Sequence, residues 1–171
     1  MKKVREIFHF ISAWGSGICL VLMVLLILAQ IVARMIGVVI PSSEDFAGWI
    51  LSAIIFFGLA FTFNEGGHIR VTILLNRLSE KVRKPIEFFN LVMGLLISGF
   101  LAFYTFITAY ESYVYEEVTD TYLVVPLWAI QVPMALGSIC LFVAILDNFV
   151  TMVMGKTPNY LTTEEELDIE G

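Results

Sequence analysis

Four long stretches of this sequence contain no Asp, Glu, Lys, Arg or His: Phe10 to Ala33, Phe46 to Asn64, Phe88 to Tyr110 and Thr121 to Leu146. A helix needs roughly 20 apolar residues to cross about 30 Å of hydrocarbon. Each stretch is close to that length or above it; the second is the shortest and is expected to run past its charged ends. The rest of the composition closes off a soluble alternative. Apolar residues make up 58% of the 171 and charged residues 15%, where soluble domains carry about a quarter. Mean hydropathy is +0.86. A water-soluble chain of this size leaves too much of its surface exposed to hide that much apolar area. A soluble globular enzyme and a disordered binder are excluded. The net charge of −6 argues against nucleic-acid binding, which needs a basic patch. The expected fold is an all-α integral membrane protein. Its single transmembrane domain, within residues 1–155, has spans at about 10–34, 45–64, 86–110 and 125–147.

The basic residues orient this bundle. Lys2, Lys3 and Arg5 precede the first span. Arg70, Arg77, Lys81, Arg83 and Lys84 lie between the second and third, and Lys156 follows the fourth. In a four-span topology all of these share one side, and Arg34 alone among the ten Lys and Arg lies on the other. Cytoplasmic loops attract Lys and Arg, so both termini are expected in the cytoplasm. The outer loops then carry Glu44, Asp45, Glu111, Glu116, Glu117 and Asp120. Trp14, Trp49, Trp128 and a group of tyrosines fall at span ends, where aromatic belts form. The first apolar stretch is longer than the 7–15 residues or so of a signal-peptide core and lacks a clear cleavage site. It reads as an uncleaved first helix.

The connections are informative too. Val71, Leu75, Leu78 and Val82 recur at i, i+4, i+7 and i+11, with polar residues elsewhere on the wheel. That pattern predicts an amphipathic interfacial helix over about 69–84. Its stripe suits the cytoplasmic membrane surface or a groove on a partner. Pro85 is expected to end it and to start the third span. Gly66-Gly67 permits a sharp reversal after the second span. Ser42 or Ser43 is placed to cap the second span, with Glu44 and Asp45 in the first turn, where the helix dipole favours acids. Residues 156–171 form a short acidic tail whose composition predicts disorder.

What is missing bears on function. Proton relays, ion pathways and substrate sites inside membranes use ionisable residues facing the interior, and the four cores have none. Haem ligation needs histidines within helices, and His9 and His68, the only two, lie at span ends. No phosphate-binding loop, zinc-protease motif or nucleophile elbow appears. Cys19 and Cys140 read as small apolar packing residues. No catalytic residue, metal site or cofactor is therefore expected, nor a substrate or sodium site in this chain alone. The polar residues that remain read as structural or partner contacts. Gln30 lies deep in the first span and suits a hydrogen bond to another helix or subunit. Arg34 faces Glu44 and Asp45 across the first outer connection, where an ion pair would pin the first hairpin; contact with a partner is the alternative. His68 and Arg70 suit the cytoplasmic interface or a partner subunit. Ser12/Ser16, Gly48/Ser52, Gly94/Ser98 and Ser98/Ala102 are small pairs at spacing four that let helices approach closely.

An ordered set of residues resembles a known family. Arg34, Ser43-Glu44-Asp45 opening span two, Gly58 within it, Gly67-His68-Ile69-Arg70-Val71 after it, and Pro126-Leu127-Trp128 with Pro133 and Gly137 resemble the small membrane subunit of tripartite ATP-independent periplasmic (TRAP) transporters, over roughly residues 15–155. The resemblance implies a bacterial or archaeal inner-membrane location. It also implies a large membrane partner that carries the substrate and sodium sites and moves as an elevator, and a soluble protein that delivers organic acids. This chain would then be a static scaffold subunit. Its candidate structural or partner contacts are Arg34, Glu44, Asp45, Gly67, His68 and Arg70. Glu116, Glu117 and Asp120 are candidates for docking the binding protein through complementary charge. The competing reading is a self-sufficient homo-oligomeric channel or small transporter, whose pore would need a polar lining that Gln30 and scattered Ser and Thr supply poorly.

Overall fold

The computed structural model describes residues 2–64 and 80–154. The expected amphipathic segment up to residue 79, with Gly67, His68 and Arg70, and the acidic tail lie outside the described residues. Within them the chain is helical: α1 Lys2–Met35, α2 Ser43–Asn64, α3 Glu80–Val114 and α4 Leu127–Val153. Each is long and apolar enough to cross a membrane. With a rise of about 1.5 Å per residue, the 34 residues of α1 and 35 of α3 reach well beyond the hydrocarbon layer. α3 begins at Glu80, so Pro85 lies inside it rather than dividing two helices as expected. The first four amides of a helix have no partner in it anyway. Pro85 is the sixth residue of α3, just past these, so its missing amide removes one intrahelical bond, to the Lys81 carbonyl, and the helix continues through it.

The helices form a layer rather than a closed bundle. α1 packs along α2, α2 along α4 and α4 along α3, with a smaller contact between α1 and α4. Small residues make these approaches close. A Cβ on Gly137 would lie 2.7 Å from the Phe56 Cβ and 2.9 Å from the Phe57 nitrogen, so α4 rides directly on the α2 backbone. A Cβ on Gly15 of α1 would lie 3.0 Å from the Phe57 ring. Phe57, itself buried, is thus where α1, α2 and α4 meet. On α3 the buried side chains are Glu87, Leu91, Ser98, Ala102, Ala109 and Ser112, one face at helical spacing. Gly94 and Gly99 lie against Ile145 and Phe142 of α4. The Thr105 and Ser138 hydroxyls meet 2.7 Å apart between the same two helices. Ser12, Ser98, Ser112, Ser138 and Ala60 are almost completely buried, and Ser12 lies beside the Cys140 thiol. A core of serine, alanine and glycine is what membrane helices use, because lipid tails remove the hydrophobic drive and leave close packing to hold the helices together.

The large apolar side chains point the other way. Even α4 buries only 33% of its most apolar stretch, and α1 buries 0%. Phe89, Leu96, Ile97, Phe100, Phe103 and Phe106 cover an exposed face of α3. In water such faces would aggregate; against lipid or a partner subunit they are solvated.

Candidate functional site

Polar structure gathers at one end of the layer, where α1 and α3 finish and α2 and α4 begin. The α1–α2 connection is built from its glycine. Gly37 takes φ +75, its amide bonds the Arg34 carbonyl at 3.2 Å, and the Val38 amide bonds the Ala33 carbonyl at 2.9 Å. This paired closure is the Schellman motif, which needs a left-handed residue just past the helix. The chain then turns through Pro41 and Ser42. Ser42 occupies the left-handed region (φ 56), and its carbonyl accepts the Phe46 amide at 3.1 Å, which makes it the N-cap residue of α2. Its hydroxyl is used elsewhere: it accepts the Leu123 amide at 3.2 Å from the second loop. Hence the serine expected to cap α2 also ties the two loops at this end of the layer together.

Between these walls lies a polar recess of about 260 Å³ lined by Gln30, Arg34 and residues from Val38 to Asp45. Arg34 stands one turn above Gln30 on the same face of α1, with Glu44 and Asp45 in the first turn of α2 opposite. The three charged residues expected to interact do share one recess. Among the described residues, however, no ion pair joins Arg34 to either acid. The buried Nε2 of Gln30 has no hydrogen-bond partner, nor does the buried Oε1 of Gln131 near the start of α4.

The second loop, from Tyr115 to Pro126, is internally bonded. Glu116 takes φ 53 and the Glu117 amide bonds the Ser112 carbonyl at 3.0 Å. This is again a left-handed helix ending, here without glycine. The Glu117 carboxylate accepts the Ser112 hydroxyl at 2.7 Å, and its carbonyl accepts the Leu127 amide at 2.9 Å, so Glu117 staples the end of α3 to the start of α4. Buried Thr119 exchanges backbone and side-chain bonds with Val125 at 3.0 Å, beside the Val118–Pro126 bridge. Glu116 and Asp120 remain exposed, among exposed Tyr115, Tyr122 and Val124. All three acids grouped in the sequence are thus exposed, and Glu117 differs from the other two in being bonded to Ser112 and Leu127.

Glu87 was not singled out in the sequence. It is buried and engaged by a partner at the opposite end of the layer, near the Phe88–Phe149 ring contact at 5.7 Å. Its place one turn before Leu91 on the buried face was the available signal; it borders the uncharged stretch and so escapes a reading based on gaps. Among the described residues no cluster of His, Cys, Asp or Glu is arranged to hold a metal ion, and both cysteines are free.

A layer of four helices long and apolar enough to cross a membrane, joined through small residues, defines a multi-pass membrane protein. A comparison with curated proteins finds no match. A family model does: residues 23–155 match the DctQ component of tripartite ATP-independent periplasmic transporters, and the chain belongs to that family. It is a transporter component of the inner membrane and not an enzyme.

Proposed function

We propose that this chain is the static scaffold of a sodium-coupled, binding-protein-dependent importer of organic acids, in bacteria or archaea. It supports a large membrane subunit that carries substrate and sodium and moves as an elevator. Both termini and the 69–84 segment face the cytoplasm, so the two bonded loops face the periplasm. There Glu116 and Asp120 meet a basic patch on the substrate-binding protein. His68 and Arg70, beside Gly67, contact the partner subunit or lipid on the other side.

The observation that carries this reading is the Phe57 junction. Gly15 and Gly137 bring α1 and α4 against α2 so closely that the layer has little room to slide, which suits a stator. The uncovered apolar faces of α1 and α3 supply area for lipid and for the large subunit. The uncharged stretches of the spans have no Asp, Glu, Lys, Arg or His, the residues that ion coupling inside a membrane uses. Reconstitution in liposomes tests the reading. Uptake of an organic acid is expected only when this chain, the large subunit, sodium and the binding protein are all present. Sodium-driven uptake by this chain alone would refute it.

A further inference from the structure

We propose that the recess beside Arg34 is a binding site for a phospholipid headgroup that carries both a phosphate and a primary ammonium, as in an ethanolamine phospholipid. One wall offers donors: the Arg34 guanidinium and, a turn below, the Gln30 Nε2. The other wall offers the Glu44 and Asp45 carboxylates. Opposite charges lie in one small recess, yet no ion pair joins them among the described residues. A simple anion would be repelled by the two acids, and a simple cation by Arg34. A zwitterion satisfies both walls, phosphate on Arg34 and ammonium on the acids, in charge-assisted hydrogen bonds.

The second observation is Gln30. Its Nε2 is shielded from solvent and has no partner in the chain, a situation that native structures avoid. Gln30 lines the recess, and a turn of its side chain would offer this amide to a phosphate or ester oxygen bound there.

Depth points to lipid rather than to a soluble ligand. Arg34 is the penultimate residue of α1 and of its membrane-crossing stretch, at the level where headgroups lie. Below it Val24, Ile27, Leu28 and Ile31 are exposed and offer a surface for acyl chains. The cradle is also preformed. Gly37 closes α1 by paired bonds, and Ser42 is held in a left-handed conformation with its hydroxyl bonded to Leu123. The chemistry is the same whichever leaflet the recess faces.

Native mass spectrometry of the full-length chain, delipidated in detergent, tests the site. The chain is titrated with phosphatidylethanolamine, phosphatidylglycerol or phosphatidylcholine of identical acyl chains, and with soluble glycerophosphoethanolamine. One phosphatidylethanolamine is expected to bind about tenfold more tightly than either other lipid, the scale of one charge-assisted hydrogen bond lost. Arg34→Gln should lower that binding about tenfold. The double variant Glu44→Gln/Asp45→Asn should remove the preference for ethanolamine over glycerol. Circular dichroism establishes that each variant keeps its helices. If Arg34→Gln fails to fold, the wild-type comparison and the acid double variant decide. Equal binding of the three lipids by the wild type, or a preference unchanged in the variants, overturns the proposal. So does competition by the soluble headgroup at the affinity of the lipid, which would make the ligand a free phosphoester.

Discussion

Gly137 of α4 lies so close to Phe56 of α2 that a methyl group on it would stand 2.7 Å from the Phe56 Cβ and 2.8 Å from its carbonyl carbon. Flexible side-chain ends can move aside, but a backbone cannot. Gly137→Ala must therefore push α2 and α4 apart, at about 1–3 kcal/mol for overpacking. Unfolding in a denaturing detergent titration should show that loss. Gly58 provides the contrast within α2. A Cβ there meets nothing within 4 Å, so Gly58→Ala should leave the isolated chain as stable as before or slightly more so, because alanine loses less entropy in a helix. A Gly58→Ala variant that folds normally but fails to assemble with its partner would mark that open face as an interface.

Thr105 and Ser138 make a polar contact between α3 and α4, 2.7 Å between hydroxyls. Both also bond carbonyls of their own helices, so removing one leaves the other partly satisfied. A double-mutant cycle with Thr105→Ala and Ser138→Ala should give a coupling of about 0.6 kcal/mol, and below about 1.7 kcal/mol, the range for hydrogen bonds between membrane helices. A cycle with zero coupling would leave the α3–α4 contact to Gly94, Gly99 and their neighbours alone.

The second loop predicts different outcomes for adjacent acids. Glu117 bonds Ser112 and bridges α3 to α4. Glu117→Gln should weaken the loop by about 1 kcal/mol and raise amide exchange across residues 117–127. Glu116 and Asp120 are exposed, and Glu116→Gln with Asp120→Asn should leave exchange unchanged. Under the docking role proposed for them, the double variant should give a slower, less salt-dependent association with the binding protein. Glu116 also has φ 53, a conformation costing about 1–2 kcal/mol outside glycine. Glu116→Gly should therefore tighten the loop while weakening the encounter. An acid held at a strained position on an exposed surface is the pattern of a residue kept for contact.

Much of this architecture was legible in the sequence. Long runs without charge declare membrane helices because the cost of burying a charge in lipid is large and local. The close approaches were only half legible. Small residues at spacing four marked Ser12, Gly94, Ser98 and Ala102, which lie on packed faces, but equally Gly48 and Ser52; a Cβ on Gly48 meets nothing within 4 Å, and the Ser52 hydroxyl bonds its own helix. Spacing says which residues permit contact, and only the layer order says which contacts form. The recess was legible as the meeting of Arg34, Glu44 and Asp45. Its lack of an ion pair was not, because the Gly37 and Ser42 turns set how the walls face each other. The separate fates of Glu116 and Glu117 depend on a left-handed residue without glycine, which has no sequence signature of its own.

Arg34 ties the recess to stability in a testable way. In an ion pair shielded from water, removing the cation would leave a buried acid alone and cost several kcal/mol. Arg34 is exposed and makes no ion pair with Glu44 or Asp45 among the described residues. Arg34→Gln should thus change the unfolding of the isolated, delipidated chain by less than about 0.5 kcal/mol, as surface substitutions do. Charge reversal by Arg34→Glu adds a third carboxylate to a recess that already holds two, and should cost more at low ionic strength than at high. In the assembled transporter both variants should lower complex yield more than substrate affinity. An unchanged complex with altered substrate affinity would instead place Arg34 on the transport path and contradict its role in a static subunit.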